Sequence, residues 1–236
     1  MAMSPTLAEP LACANCPVRH DAVCAGLDPT GLAELARVGR HRRFARGETI
    51  FSAGDETVAC ATLVSGAVKL AAIGADGIER IVAIVHPAGL MGRLFASTPG
   101  HDAIALIDSE LCLFPRADFE RMMAGHPMLT RRVLERTLAE LDRAHELADL
   151  IGRRDARGRV AGLIAAFARA AGSDRRAAER FDLPLTRGEM AGLLGLTIET
   201  VSRALTRLEK DGVIGREGSR GIVVRDAAAL AMARGD

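Results

Sequence analysis

The spacing of apolar positions changes period along this chain. Between residues 40 and 116, short apolar runs alternate with glycine: "ETIFSAGDE", "ATLVSGAVKLAAIG", "IERIVAIVHPAG", "DAIALID" and "ELCLF". Runs of this length, broken by Gly54, Gly66, Gly77, Gly89 and Gly100, predict a small all-β barrel or roll. The period then lengthens. "RADFERMMAGHP" predicts a short helix ended by Gly125 and Pro127. From Pro127 to Gly152, the residues Leu134, Leu138, Leu141, His145 and Ala148 follow one another at steps of four, three, four and three. That is the seam spacing of a coiled coil. The outward positions carry Arg131, Arg132, Glu135, Arg136, Glu140, Asp142 and Arg143. A narrow stripe with heavily charged flanks suits a helix that pairs with its twin; a helix lying on its own barrel is the alternative. His145 sits on the stripe, as a packed polar side chain or a pH-sensitive one.

A charged junction, "GRRDARG" at residues 152 to 158, leads into a helix, "RVAGLIAAFARAAG", and a loop, "DRRAAERFDLPL". The next block reads "TRGEMAGLLGLTIETVSRALTRLEKDGVIGREGSRGIVV". Thr186 followed by Glu189 is a capping box, so a helix starts there. It runs through Met190, Ala191 and Leu194 to Gly195, which can take left-handed turn geometry. Thr197 suits the cap of a second helix with Val201, Leu205 and Leu208 on its inner face. Two short helices joined by a glycine turn predict a helix-turn-helix whose second helix is free to enter a major groove. Gly212 breaks that helix, and "VIGREGSRGIVVR" predicts a β-hairpin wing tipped by Arg216 and Arg220.

Glu199, Ser202 and Arg203 share the face opposite the apolar one. Arg203 can fork onto the two acceptors of guanine, and Glu199 can accept from the amino group of cytosine. Arg207, Arg216 and Arg220 are placed for phosphates, where they hold position without reading sequence. A small helical domain with ordinary surface charges would leave unexplained why cap, glycine turn, readers and wing occur in this order.

Charge sharpens the picture. From residue 152 onward there are 16 Lys and Arg against 11 Asp and Glu, leaving 15 against 19 in front. A basic back end suggests a polyanionic partner. At 236 residues and 49% hydrophobic, the chain has room for one or two domains. No stretch approaches the roughly 20 apolar residues of a membrane helix, and "MAMSPTLAEPLACANC" lacks a secretory signal. The expectation is a cytoplasmic chain, without a membrane, whose thiols stay reduced.

Five cysteines remain, and three of them crowd into "CANCPVRHDAVC", residues 13 to 24. Cys13, Cys16 and Cys24 offer three soft ligands from one flexible segment. A four-thiolate iron-sulfur cluster, a structural zinc site or a metal-free thiol switch are all open, and His20 adds a further ligand for zinc. Cys60, in "VACATL", reads as a small buried strand residue and is the fallback fourth ligand. No phosphate-cradling glycine loop or nucleophile-base motif occurs, so an enzyme is not expected.

The block "LTRGEMAGLLGLTIETVSRALTRLEKDGVI" resembles the winged helix-turn-helix of the CRP/FNR superfamily of bacterial transcription regulators, and "FSAGDE…LVSGAVKL" is similar to the start of that family's sensory β-roll. The resemblance covers nearly the whole chain. It implies an α+β fold: an N-terminal β-roll (cyclic-nucleotide-binding-like) domain, a long dimerisation helix and a C-terminal winged helix-turn-helix. The corresponding divisions are a cysteine-rich cluster-binding segment at 1–30, the β-roll at 31–125, the dimerisation helix at 126–152 and the DNA-binding domain at 153–236.

"ETVSR" resembles the FNR-type reading helix, which implies that Glu199, Ser202 and Arg203 read TTGAT-type half-sites arranged as an inverted repeat for a homodimer. RNA polymerase is the implied second partner, with the loop near His86 to Met91 as an exposed contact surface. "CPVRH…VC" resembles the thiol segment of oxygen-responsive members, and Cys112 in "ELCLF" looks like their distant ligand. The resemblance therefore implies a 4Fe-4S cluster on Cys13, Cys16, Cys24 and Cys112, with pairing and DNA binding favoured while it is intact. Oxygen is the implied signal, and nitric oxide a second one. The seven-residue spacer from Cys16 to Cys24 is longer than in the enteric form of the family. No cyclic nucleotide is expected. Arg93 stands where cyclic-nucleotide receptors carry a ribose-binding Glu, and His101-Asp102-Ala103 replaces their phosphate-binding Arg-Ser.

Overall fold

A computed structural model of the chain describes residues 9–10, 13–56, 58–75, 77, 79–96, 98–152, 155–172 and 179–235. The chain divides into two compact units, Met1–Leu141 and Asp142–Asp236. The first opens with β1 (Glu9–Pro10) and two short 3-10 turns, Cys13–Asn15 and Val23–Gly26. Then come α1 (Pro29–Val38), β2 (Arg40–Phe44), β3 (Thr49–Phe51), β4 (Ala59–Ser65), β5 (Val68–Ile73), β6 (Glu79–Val85), β7 (Leu90–Met91), β8 (Asp102–Ala105), β9 (Ser109–Pro115), α2 (Arg116–Gly125) and α3 (Pro127–Gly152), whose residues from 142 onward belong to the second unit.

Two antiparallel sheets form, in the orders β1-β2-β9-β4-β7 and β3-β8-β5-β6. Alternation along the strands decides what each face buries. Phe44, Leu63 and Leu111 from the first sheet meet Val68, Val85 and Ala103 from the second in one core. The opposite face of the five-stranded sheet shows Cys60, Val64, Cys112 and Phe114. It is covered by Val18, Ala22 and Val23 of the thiol segment, Leu35 of α1, Phe119 of α2 and Leu129 and Val133 of α3. Gly66 makes the tight β4–β5 turn at φ +102, where a Cβ would lie 2.2 Å from the Ser109 hydroxyl oxygen, so no other residue fits.

The second unit contains α4 (Ala156–Ala171), β10 (Arg180–Asp182), α5 (Arg187–Leu194), α6 (Ile198–Lys210), β11 (Ile214–Glu217), β12 (Gly221–Val224) and α7 (Ala227–Arg234). Its sheet runs β10-β12-β11, all antiparallel. Ile164, Leu194, Val201, Leu208 and Ile214 are buried in it.

The expected roll, long helix and wing are present. Three details differ from the sequence reading. Part of the presumed loop is β10, whose Phe181 pairs with Ile222 and is buried, a three-residue strand too short to show a period. Residues 174–178 of that loop and 173 before it, and 153 and 154 of the charged junction, lie outside the described residues, as do 1–8, 11 and 12 of the N-terminal segment. Helices α1 and α7 were not anticipated, although Asp28 and Asp226 cap them by accepting from the N–H groups of Gly31 and Ala229.

Candidate functional site

Strand β9 lies between β2 and β4, and its Cys112 pairs with His41 on one side and Thr62 on the other. Residues directly opposite across a ladder point to the same face. Here that face is the one covered by the thiol segment. A cavity of about 20 Å³ lies between them, and Cys13, Cys16, Cys24, Cys112, His41 and Thr62 all line it. Cys60 and His20 do not. Cys60 shares the Cys112 core but is fully buried away from the cavity, and burial pushes its thiol up to about 12.

The four lining cysteines come from two stretches far apart in sequence. All are free thiols. Burial, reinforced by Cys16 and Cys13 nearby, pushes the Cys24 thiol up to about 11. Burial raises Cys13 as well, with Cys16 adding to it. Cys112 is raised most strongly, first by burial and then by Cys16, Cys13 and Cys24. His41 Nε2 stands 3.3 Å from Cys112 Sγ, and its Nδ1 lies 2.7 Å from Glu110 Oε1. The Thr62 hydroxyl is buried with no hydrogen-bond partner among the described residues.

As placed, no three His, Cys, Asp or Glu side chains among the described residues form a ready-made metal-binding group. The donor chemistry nevertheless fits a thiophilic centre. Crowded, desolvated thiols resist ionising unless a positive charge arrives among them, and a metal ion or iron-sulfur core supplies that charge. The segment also reaches the long helix: a Cβ on Gly26 would lie 2.5 Å from the Met128 carbonyl oxygen and 2.8 Å from Arg132 Cγ. Whatever orders residues 13 to 26 therefore bears directly on the base of α3.

In the second unit, Thr186 accepts from the Glu189 N–H while the Glu189 carboxylate accepts from the Thr186 N–H, which starts α5. Gly195 ends it at φ 61 and ψ 41. The Thr197 hydroxyl accepts from the Thr200 N–H and starts α6. Val201, Ala204, Leu205 and Leu208 of α6 are buried, whereas Glu199 and Arg203 are exposed and Ser202 half-buried on the other side. A bond from its own backbone N–H, then one from the Thr197 hydroxyl, holds the Glu199 carboxyl below the usual range, with Arg203 contributing.

The six cations and readers of this half are therefore not equivalent. Arg207 is exposed and donates from Nε to Asp211 Oδ2 at 3.1 Å. Arg216 sits in the middle of β11, not at the wing tip, and its Nε donates to Glu209 Oε2 at 2.9 Å. Arg220 is half-buried just before β12, beside the Gly218–Ser219 turn.

The model of the Crp-like helix-turn-helix domain matches residues 158–233, and that of the cyclic nucleotide-binding domain matches residues 41–126. The transcriptional activator protein FnrL of Cereibacter sphaeroides is 41% identical over 228 residues, covering 95% of this chain and 92% of FnrL. This chain belongs to the CRP/FNR superfamily of transcription regulators. The nitrogen fixation regulation protein FixK of Bradyrhizobium diazoefficiens is 35% identical over 202 residues, covering 86% of this chain and 85% of FixK. The fumarate and nitrate reduction regulatory protein of Salmonella typhimurium is 28% identical over 227 residues, covering 94% and 90%. Among solved structures, FixK2 from Bradyrhizobium japonicum superposes with a TM-score of 0.75 at 29% identity, covering 83% of this chain and 96% of FixK2. A CRP/FNR chain with these relatives is a DNA-binding regulator and not an enzyme.

Membership does not choose the sensory chemistry, because relatives with several physiological roles match. Two features of this CRP/FNR chain narrow it. The β-roll holds a cavity of about 320 Å³ lined by Phe51, Leu70, Arg93, His101 and Ala103, among others. Asp102 beside it accepts from the Ala53 N–H at 2.7 Å, so its carboxylate is fixed in place. On α3, Leu134, Leu138 and Leu141 are 58%, 52% and 49% exposed, and His145 and Ala148 are exposed with them. Within the first unit, Leu134, Leu138 and Leu141 thus do not pack on the roll. The loop expected to offer an exposed surface is a correction: Ala88, Gly89 and Met91 are buried, and of residues 86 to 91 only Pro87 is exposed. The Ala88 N–H donates to the Leu63 carbonyl, which ties this turn to β4.

Among the described residues no helix is long and apolar enough to cross a membrane. His41, Glu110 and Thr62 escaped the sequence reading. Period two places Glu110 on the same face as Cys112, but nothing in the sequence names the residues opposite.

Proposed function

We propose that this chain is an oxygen-responsive transcription regulator of the FNR type, active in the cytoplasm as a homodimer, with a 4Fe-4S cluster held by Cys13, Cys16, Cys24 and Cys112. The observation that carries the reading is the convergence of four thiols on one cavity, three half-buried from residues 13–24 and one buried on β9. When bound, the cluster supplies an oxygen-sensitive link between the N-terminal segment and the sheet. The chain's own residues do the rest. Val18, Ala22 and Val23 hold the segment against Leu129 and Val133 of α3, so its order is coupled to the helix that bears the exposed leucine stripe. Release of that segment weakens pairing by biasing an existing equilibrium. A shift of about 3 kcal/mol changes dimer affinity roughly a hundredfold, enough for a switch.

Residues Leu134, Leu138, Leu141, His145 and Ala148 form the seam between subunits in this reading, and an exposed apolar stripe with charged flanks supports it. The paired subunits present two copies of Glu199, Ser202 and Arg203 to an inverted repeat of TTGAT-type half-sites. Arg207, Arg216 and Arg220 attend to phosphates, Arg207 and Arg216 after exchanging their present carboxylate partners. RNA polymerase is the second macromolecular partner, and the divisions at 30, 125 and 152 separate cluster segment, roll, dimer helix and DNA-binding domain. Arg93 and the fixed Asp102 carboxylate argue against a cyclic nucleotide in the roll.

Purification under argon, with a visible spectrum and iron and sulfide assays, tests this. A brown protein that bleaches in air and binds the inverted repeat only before bleaching is expected. Colourless protein with stoichiometric zinc and the same DNA binding in air would sink the reading and leave a zinc or thiol site in its place.

A further inference from the structure

Among the described residues that line the thiol cavity, Thr62 carries a buried hydroxyl with no hydrogen-bond partner. Thr62 is 4% exposed, lines the cavity, and pairs with Cys112 across the β4–β9 ladder. Its Oγ1 has no partner among the described residues. On the opposite flank of Cys112, His41 is already engaged by Glu110 and by the Cys112 sulfur. A buried hydroxyl without a partner destabilises a fold, and a valine of the same shape would remove that cost. A threonine here suits a cavity whose occupant accepts a hydrogen bond.

We propose that Thr62 is an outer-sphere donor to sulfur: with the thiols holding their metal group, its O–H donates to the Cys112 thiolate or to an inorganic sulfide beside it. This rests on the four-thiol reading given above. Hydrogen bonds to the sulfurs raise the reduction potential of such centres and slow their loss of electrons. Thr62 thereby sets how readily air reaches the switching point. It is a positioning and tuning residue, with no bond to metal. The ladder makes it possible: β9 is central, so the fourth ligand has a neighbouring strand on each side, one carrying His41 and the other Thr62.

The test uses the full-length protein with Thr62→Val, which deletes the hydroxyl, and Thr62→Ser, which keeps it. Under argon, Thr62→Val should retain iron, show a lower midpoint potential and shifted iron–thiolate stretching bands by resonance Raman, and bleach in air about tenfold faster. Thr62→Ser should restore all three towards wild type. Unchanged potential and bands in Thr62→Val overturn the proposal, and so does Thr62→Ser behaving like Thr62→Val, because volume and not the hydroxyl would then be responsible.

The metal-free proteins give an independent arm. Thr62→Val without metal should melt at or above the wild-type temperature; melting several degrees lower means the hydroxyl has an internal partner, and the proposal fails. If the wild type carries zinc, the iron-sulfur reading falls separately. Cobalt(II) then replaces zinc as the probe: a Thr62→Val shift in its thiolate charge-transfer band supports the donor, and an unmoved band overturns it.

Discussion

Glu199 and Arg203 reach one face of α6 because they stand four positions apart on a single helix, whereas Cys24 and Cys112 reach one cavity although they stand 88 positions apart. The reading helix is a local device. Its caps, turn and spacing are consecutive, and each contributes separately. The thiol cavity is a convergent device: two 3-10 turns, a loop and the central strand of a sheet must all be in place before four sulfurs face one another. Local sites should therefore fail by degrees, and convergent ones all at once.

The largest effect expected is on the convergent site. Cys112→Ser or Cys24→Ser, purified under argon, should lose iron and sulfide about tenfold or more, while Cys60→Ser keeps near wild-type content. Equal loss in all three would remove the distinction between the lining thiols and the buried bystander. Next comes the stripe. Leu138→Glu places two carboxylates in the proposed subunit seam and should weaken pairing about a hundredfold or more, roughly 3 kcal/mol. Sedimentation velocity reads it, and an unchanged dimer would show that another surface pairs the subunits.

The metal-free chain offers a pH test of the same cavity. Folding raises Cys24 from its ordinary value of 9.0 to about 11, chiefly through burial, and raises Cys13 and Cys112 in the same direction. The folded form thus keeps protons that the unfolded chain sheds above about pH 9. Stability from these thiols is intact below that point and drains away as pH rises towards 11. Thermal melts at pH 8.5 and 10.5, with metal removed, should show a fall that is smaller when Cys24 is alanine.

On the local side, Arg203→Ala should cost about 1–3 kcal/mol on the inverted repeat and relax choice at the guanine position. Titrations with single-base variants decide between this and a uniform loss, which would make Arg203 a phosphate contact. Smallest of all, Thr186→Ala removes one cap and should cost about 1 kcal/mol in chemical denaturation, with iron content untouched.

The two plans also explain what could be read in advance. Thr186, Glu189, Gly195 and Thr197 announced the helix-turn-helix because caps and left-handed glycines act on their nearest neighbours. The narrow stripe of α3 was legible for the same reason, since helical period assigns its face without reference to anything else. Strands were legible as a set, but not their order. That β9 lies between β2 and β4, so that Cys112 meets His41 and Thr62, depends on pairing between residues 41, 62 and 112, which no local signal encodes. The burial of the 86–91 turn was missed likewise, because Leu63 of β4 holds it from outside.

Composition, period and capping determined by themselves that this chain has a β-roll, a long stripe-bearing helix and a winged helix-turn-helix, because each follows from forces acting over a few residues. Only the tertiary structure decided that the thiol segment lies on the outer face of the five-stranded sheet and against the base of α3. It also decided that Arg216 is already engaged by Glu209 and that an unsatisfied hydroxyl waits beside the fourth thiol. Burial and strand register are collective outcomes of the whole core, and they set which groups lose water together.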